Sequence, residues 1–276
     1  RGDGSDEQAT VPPIVISEDT SPVRTLDVTA SDGNTLQVVY RAPKSDRPLP
    51  AIVFIHGSLG QSKPRQLIQS ALTNPTHTRF LSKGFVSVAA TFRTYGEDPL
   101  SRGPILDSIA IVQAVKKLPE VDPDSVVVFG TSGGGSIALE LAGEKGLELP
   151  GVVIGEPASV LYTGLMTDLS MRDESMKNYA ALYTDERRAA TEKKIASISC
   201  PILVHHGDVH LLRKINFDIV FPAIQAAGKT LIIKNYPGED HGFYWGNRTS
   251  EETVDSVVSS TLEFIKPLLK APPARQ

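Results

Sequence analysis

The sequence predicts an α/β fold: a mostly parallel central sheet with helices on both faces and a small helical cap. Three observations carry that expectation. Strand-like and helix-like segments alternate along most of the chain, the rhythm of successive βαβ units with crossovers of the usual hand. Several strands read as unbroken apolar runs, such as Ala51-Ile52-Val53-Phe54-Ile55 and Val126-Val127-Val128-Phe129, as expected where both faces of a sheet are covered. Near the middle of the chain, Gly130-Thr131-Ser132-Gly133-Gly134 joins the second of these strands to a helix-like pattern, with a serine at the tip of the turn.

The elements follow in order. Residues 23–29 alternate like a strand, 31–34 (Ser-Asp-Gly-Asn) form a turn, and 36–40 return as the second arm of a hairpin. A Pro-rich connection over 43–50 leads to the buried strand at 51–55 and then to His56-Gly57-Ser58-Leu59-Gly60. Helical patterns at 64–72 and 77–83 stop at Gly84, and 85–90 is again a buried strand. An amphipathic helix over 102–118 ends at Pro119, and Asp122-Pro123-Asp124 turns the chain into the strand before Ser132. After that helix, 151–155 is a short strand leading directly to Glu156-Pro157. Residues 157–199, rich in Met, Tyr and charge, break the alternation and are too long for a plain loop, which predicts a helical cap. A strand at 201–206, a helix at 211–227, a strand at 230–234 and a final helix at 250–269 complete the pattern.

The bulk numbers bound the function. With 276 residues the chain suits one large-cored unit, expected over 21–270, between a flexible tail at 1–20 and a Pro-rich tail at 271–276. A net charge of −4 with mixed signs and no basic stripe argues against nucleic acid as a partner. No apolar run is long enough to cross a membrane. The single cysteine, Cys200, excludes an intramolecular disulfide and opens an apolar run as a small buried hydrophobe. The chain opens at Arg1 rather than Met, as removal of an upstream segment would leave it, which favours a secreted or periplasmic protein.

Gly130-x-Ser132-x-Gly134 has the spacing of a nucleophile elbow. A serine lifted above a sheet on a sharp turn needs neighbours without Cβ, or strand and helix collide. Two rival readings of the stretch are a phosphate cradle, since Gly133-x-Gly135-x-x-Ala138 with Glu156 further on fits a loose dinucleotide fingerprint, and a purely structural turn. The first is weakened by the motif's place in mid-chain. A serine nucleophile needs a base, and of the six histidines His241, in a glycine-flanked loop after the last strand, is the candidate.

Taken together, His56-Gly57, Gly130-x-Ser132-x-Gly134, His206-Gly207-Asp208 and Tyr236-Pro237-Gly238-Glu239-Asp240-His241-Gly242-Phe243 resemble the α/β-hydrolase superfamily, nearest its dienelactone-hydrolase and prolyl-oligopeptidase-like branches. The resemblance covers about residues 50–269. It implies a serine hydrolase with no metal or organic cofactor, with Gly133 and the Ser58 and Leu59 loop supplying oxyanion donors. The chain departs from the pattern where those branches place their acid: in His-Gly-x-x-Asp counted from His206, the slot holds His210. Two carboxylates stay open for the role, Asp208 two residues earlier and Glu156 at the end of the preceding strand. Arg93 and Tyr95, past the end of a central strand, are candidate pocket residues or else a plain salt bridge and packing, and the lone Trp245 is a platform for a sugar or aryl group or else an ordinary packing residue.

The expected activity is hydrolysis of a carboxylic ester, on a small-molecule or saccharide substrate, through an acyl-enzyme on Ser132. Two alternatives stand beside it: a prolyl-oligopeptidase-like peptidase, and a non-catalytic binding protein on a hydrolase fold.

Overall fold

The computed structural model describes residues 21–96 and 98–269; both expected tails lie outside the described residues. Eight strands form one sheet: β1 (Arg24–Thr29), β2 (Thr35–Arg41), β3 (Leu49–Ile55), β4 (Val86–Ala90), β5 (Val121–Thr131), β6 (Val152–Gly155), β7 (Ile202–Gly207) and β8 (Leu231–Tyr236). Their spatial order is β1-β2-β4-β3-β5-β6-β7-β8. β1 pairs β2, and β2 pairs β4, antiparallel; all pairings from β4 to β8 are parallel. The sheet is therefore the mostly parallel one expected.

The apolar runs form central strands because successive side chains point to opposite faces and both faces are packed. Val53 and Ile55 of β3 join Val126 and Val128 of β5 in the larger core cluster. Their neighbours Ile52, Phe54, Val127 and Phe129 belong to a second cluster on the other face. The first face is covered by α3 (Gly103–Val115), α4 (Gly133–Ala142) and the chain that follows β6, the second by α2 (Pro75–Ser82) and α11 (Glu251–Ile265). A further helix, α1 (Pro64–Thr73), buries Leu67 and Ala71 against Val39 and Ala89.

Some boundaries differ from expectation for identifiable reasons. The Asp122-Pro123-Asp124 turn is absorbed into β5: Leu49 pairs with Val121 but Ala51 with Val126, so the extra residues bulge out of the ladder. The final α-helix stops at Ile265 because Pro267 has no N–H to continue it. The expected helix at 211–227 is α9 (Leu212–Ile215), a π-turn (Asn216–Val220) and α10 (Phe221–Ala226). Pro222 lacks the N–H that an unbroken α-helix requires there. Residues 157–199 fold into short helices: α5 (Ser159–Tyr162), α6 (Arg172–Lys177), α7 (Tyr179–Leu182) and the longer α8 (Asp185–Ser197).

Candidate active site

β5 delivers Ser132 to the carboxyl edge of the sheet, and α4 begins at the next residue. Ser132 has φ 51° and ψ −116°, a conformation that costs a side-chain-bearing residue about 1–3 kcal/mol and persists only when its surroundings enforce it. The enforcing bonds are visible. Its N–H donates to Gly155 O (2.9 Å), and its carbonyl accepts from Gly135 N–H (2.9 Å) and Ala158 N–H (2.8 Å). The flanking glycines are a steric requirement: a Cβ on Gly130 would lie 2.2 Å from Gly134 O, and one on Gly134 2.4 Å from Ile55 O. Strand, helix and neighbouring strand meet where no side chain fits.

His241 stands in the loop after β8, and its Nδ1 lies 2.9 Å from Glu156 Oε2. Glu156 directly follows β6 and is fully buried. Its other oxygen, Oε1, accepts the Gly207 N–H at 3.1 Å. Nearby His206 is not an ionic partner despite an Nδ1–Oε1 separation of 3.6 Å. Its Nδ1–H donates to Gly207 O (2.6 Å) and its Nε2 accepts from Asn216 Nδ2 (2.9 Å), the pattern of a neutral ring. Burial lowers its pKa in the same sense. Asp208, the other carboxylate considered, accepts the exposed Gly238 N–H at 2.8 Å and makes no contact with His241. Of the two, the structure brings Glu156 alone to the imidazole: β6 and β7 run in parallel register, Gly155 beside His205, so the residue after β6 lies under the β8 loop.

Four non-glycine residues among those described have positive φ, and three of them, Ser58 (75°), Ser132 (51°) and Glu156 (41°), gather here. Such clustering of backbone strain marks functional sites. Ser132 and His241 face one cavity of about 450 Å³, without a hydrogen bond between them. Ser58, Leu59 and Gly133 line it too, and a Cβ on Gly133 would meet Ser58 O at 2.2 Å, so this loop lies directly on the start of α4. The first N–H groups of α4 have no helical acceptor and form the positive end of its dipole. His56 holds this loop from behind: its Nδ1 bonds Gly57 O, its Nε2 meets Thr91 Oγ1 at 3.0 Å, and it stacks on Phe92. His205 is wholly interior, bonded to Tyr236 and Thr261.

Three expected pocket residues lie elsewhere. Arg93 is consumed by a carboxylate cage, with bidentate contacts to Asp32 (2.6 and 2.8 Å) and to the buried Asp107 (2.6 and 3.0 Å). Tyr95 lines a separate cavity of about 400 Å³ between α4 and α8. Trp245 packs, partly buried, among Phe54, His77 and Phe129 on the other face of the sheet. The cavity is instead walled by cap residues Val160, Leu161, Met166, Arg172 and Met176, and by His210 and Leu212. The Met-rich composition of 157–199 hinted at this wall; nothing local in the sequence singled out Arg172. His210, in the slot for an acid, stacks on His241 with ring centroids 4.5 Å apart and planes at 25°. Among the described residues no cluster of three or more His, Cys, Asp or Glu side chains is placed to hold a metal ion, and no helix is long and apolar enough to cross a membrane.

Comparison with known proteins agrees with the fold. Among solved structures, the esterase Est22 superposes with a TM-score of 0.65 at 18% identity, over 89% of this chain and 80% of that one. Brefeldin A esterase, a bacterial homologue of human hormone sensitive lipase, matches with a TM-score of 0.64 at 20% identity over 95% and 82%. Thermogutta terrifontis esterase 2, phosphoramylated by tabun, matches with a TM-score of 0.64 at 18% identity over 91% and 97%. At these identities the likeness is one of fold, that of the α/β-hydrolases. The family model of the dienelactone hydrolase family matches residues 36–269. The chain thus belongs to the dienelactone hydrolase family, as a hydrolase of the α/β-hydrolase fold.

Proposed function

We propose that this protein is a serine carboxylic-ester hydrolase that works through an acyl-enzyme on Ser132. The observation that carries this reading is the shared cavity of Ser132, on its strained elbow, and His241, whose Nδ1 is held by a buried carboxylate. Ser132 Oγ attacks the ester carbonyl as His241 Nε2 takes its proton. Glu156 accepts the Nδ1–H bond, fixing the tautomer that leaves Nε2 as acceptor and balancing the charge of the imidazolium. Backbone N–H groups of Gly133 and the Ser58–Leu59 loop receive the oxyanion. The imidazolium then returns its proton to the departing alcohol. Water, deprotonated by the same Nε2, attacks the acyl-serine and releases the acid.

The cavity favours an ester of modest size, with an apolar wall from Val160, Leu161, Met166 and Met176. A saccharide platform at Trp245 finds no place in this cavity, since that ring is partly buried against the core on the other face of the sheet. Nothing in the site favours the peptidase or the non-catalytic alternative.

The test is hydrolysis of p-nitrophenyl acetate, butyrate and benzoate by the wild-type protein and Ser132→Ala. The expected result is turnover by the wild type and a loss of about 10³-fold or more in the variant. Equal rates for the two on all three esters would sink the proposal.

A further inference from the structure

We propose that His210 is a positioning residue: its imidazole, stacked on that of His241, sets the plane in which His241 presents Nε2 to the cavity. The proposal rests on the reading of His241 as the general base. The Cβ attachment and the single hydrogen bond from Nδ1 to Glu156 hold one edge of the His241 ring and leave it to swing about that edge. A flat contact on a face removes the swing. His210 supplies one at 4.5 Å and 25°, while Tyr244 meets His241 edge-on at 6.0 Å and 89°. Catalysis is sensitive to such angles, because the base must point at the serine proton as the carbonyl is attacked.

His210 is itself held for the task. Its Nδ1 accepts the Leu212 N–H at 3.2 Å, which tethers the ring to the start of α9 and leaves the proton of the neutral form on Nε2. The charged groups facing it are Arg172 from α6, Glu156 at the end of β6, and Asp240 and His241 from the β8 loop. Burial first, and then His241, lower its pKa, so the stack is one of a neutral ring on the base rather than of two like charges. With Nδ1 of His241 already bonded to Glu156, a carboxylate at 210 would find no Nδ1–H left to accept, whereas a ring adds a wall.

A crossed pair of variants separates this role from simple support of the loop. His210→Phe keeps the stack and loses the bond to Leu212; His210→Asn keeps an acceptor for Leu212 and loses the stack. On p-nitrophenyl butyrate, His210→Phe is expected within about threefold of wild-type kcat, and His210→Asn about tenfold below it with KM little changed. The His241 Nδ1–H proton resonance, followed by NMR in the unliganded protein, is expected to stay sharp in the wild type and His210→Phe and to broaden in His210→Asn. His210→Tyr replaces the Phe variant should that one fail to fold. Wild-type kcat in His210→Asn, or an equal fall in the aromatic variant, overturns the proposal. The resonance decides separately from turnover: were the wild type inactive on every ester, the ester reading would fail, yet an unaltered Nδ1–H signal in His210→Asn would alone overturn the positioning role.

Discussion

At the scale of single residues, the proposed mechanism makes Glu156 the most consequential side chain after Ser132 and His241. It is fully buried, has φ 41°, and divides its two oxygens between His241 and the Gly207 N–H. A Cβ on Gly207 would stand 3.1 Å from Glu156 Oε1 and 2.2 Å from Glu239 O, so the donor for the second oxygen has to be a glycine. Replacing the carboxylate by an amide keeps the shape and loses the charge that favours the imidazolium. Glu156→Gln is therefore expected to lower kcat by about 10³- to 10⁴-fold, whereas Asp208→Asn stays within about threefold of wild type. Steady-state kinetics on p-nitrophenyl butyrate check both. A reversed ranking would return the acid to the β7 loop. That Glu156 and Asp208 stood level from sequence alone has a plain cause: each follows a strand at the ligand-binding edge, and only the strand order says which carboxylate lies beneath the β8 loop.

At the scale of elements, the β5–α4 turn and the π-turn do different work. The first was legible because its requirement is local: glycines at fixed offsets allow backbones to touch around a serine. The second was not legible: Pro222 signals a missing N–H, but that the chain answers with a π-turn, and sets Asn216 in a buried chain of hydrogen bonds, depends on distant partners. Ser159 Oγ donates to Asn216 Oδ1 (2.5 Å), Asn216 Nδ2 to His206 Nε2, His206 Nδ1–H to Gly207 O, and Gly207 N–H to Glu156 Oε1. The chain ties the first helix of the cap to the carboxylate behind His241, through four residues with no exposure, Ser159, Asn216, His206 and Glu156. Asn216→Leu leaves the Ser159 hydroxyl and His206 Nε2 without partners in the interior, at a cost of about 2–4 kcal/mol. Urea denaturation should record that loss with an unchanged m-value. A variant as stable as the wild type would mean the chain carries no weight in folding.

At the scale of the whole molecule, buried imidazoles make stability depend on pH. His77 and His205 lie in the interior, and burial lowers the pKa of each from 6.5 to about 3, with Lys234 adding to the effect at His205. Between those values the unfolded chain takes up a proton that the folded one refuses. Their contribution is thus fully present above about pH 6.5 and is lost as pH falls towards 3, by about 1.4 kcal/mol per pH unit for each imidazole. Denaturation midpoints measured from pH 7 to 4.5 should fall along this slope, and His205→Gln should flatten it by one proton's worth. An unchanged slope in the variant would mean that His205 takes up its proton without unfolding.

The sequence by itself determined the sheet, the order of its elements, the elbow at Ser132 and the histidine loop at 241. Each of these is written in short-range pattern: apolar runs, glycine spacing, a loop after a strand. Tertiary structure alone decided the partners. Arg93 looked available for a ligand until folding placed Asp32 and Asp107 around it, and Trp245 until the loop carrying it turned onto Phe54 and Phe129. Glu156 meets His241 across 85 residues of sequence, and His210, in the slot for an acid, proves to stack on the His241 ring. Charge and aromaticity are properties of a residue, but what they pair with depends on strand order and register, through contacts between segments that no local pattern encodes.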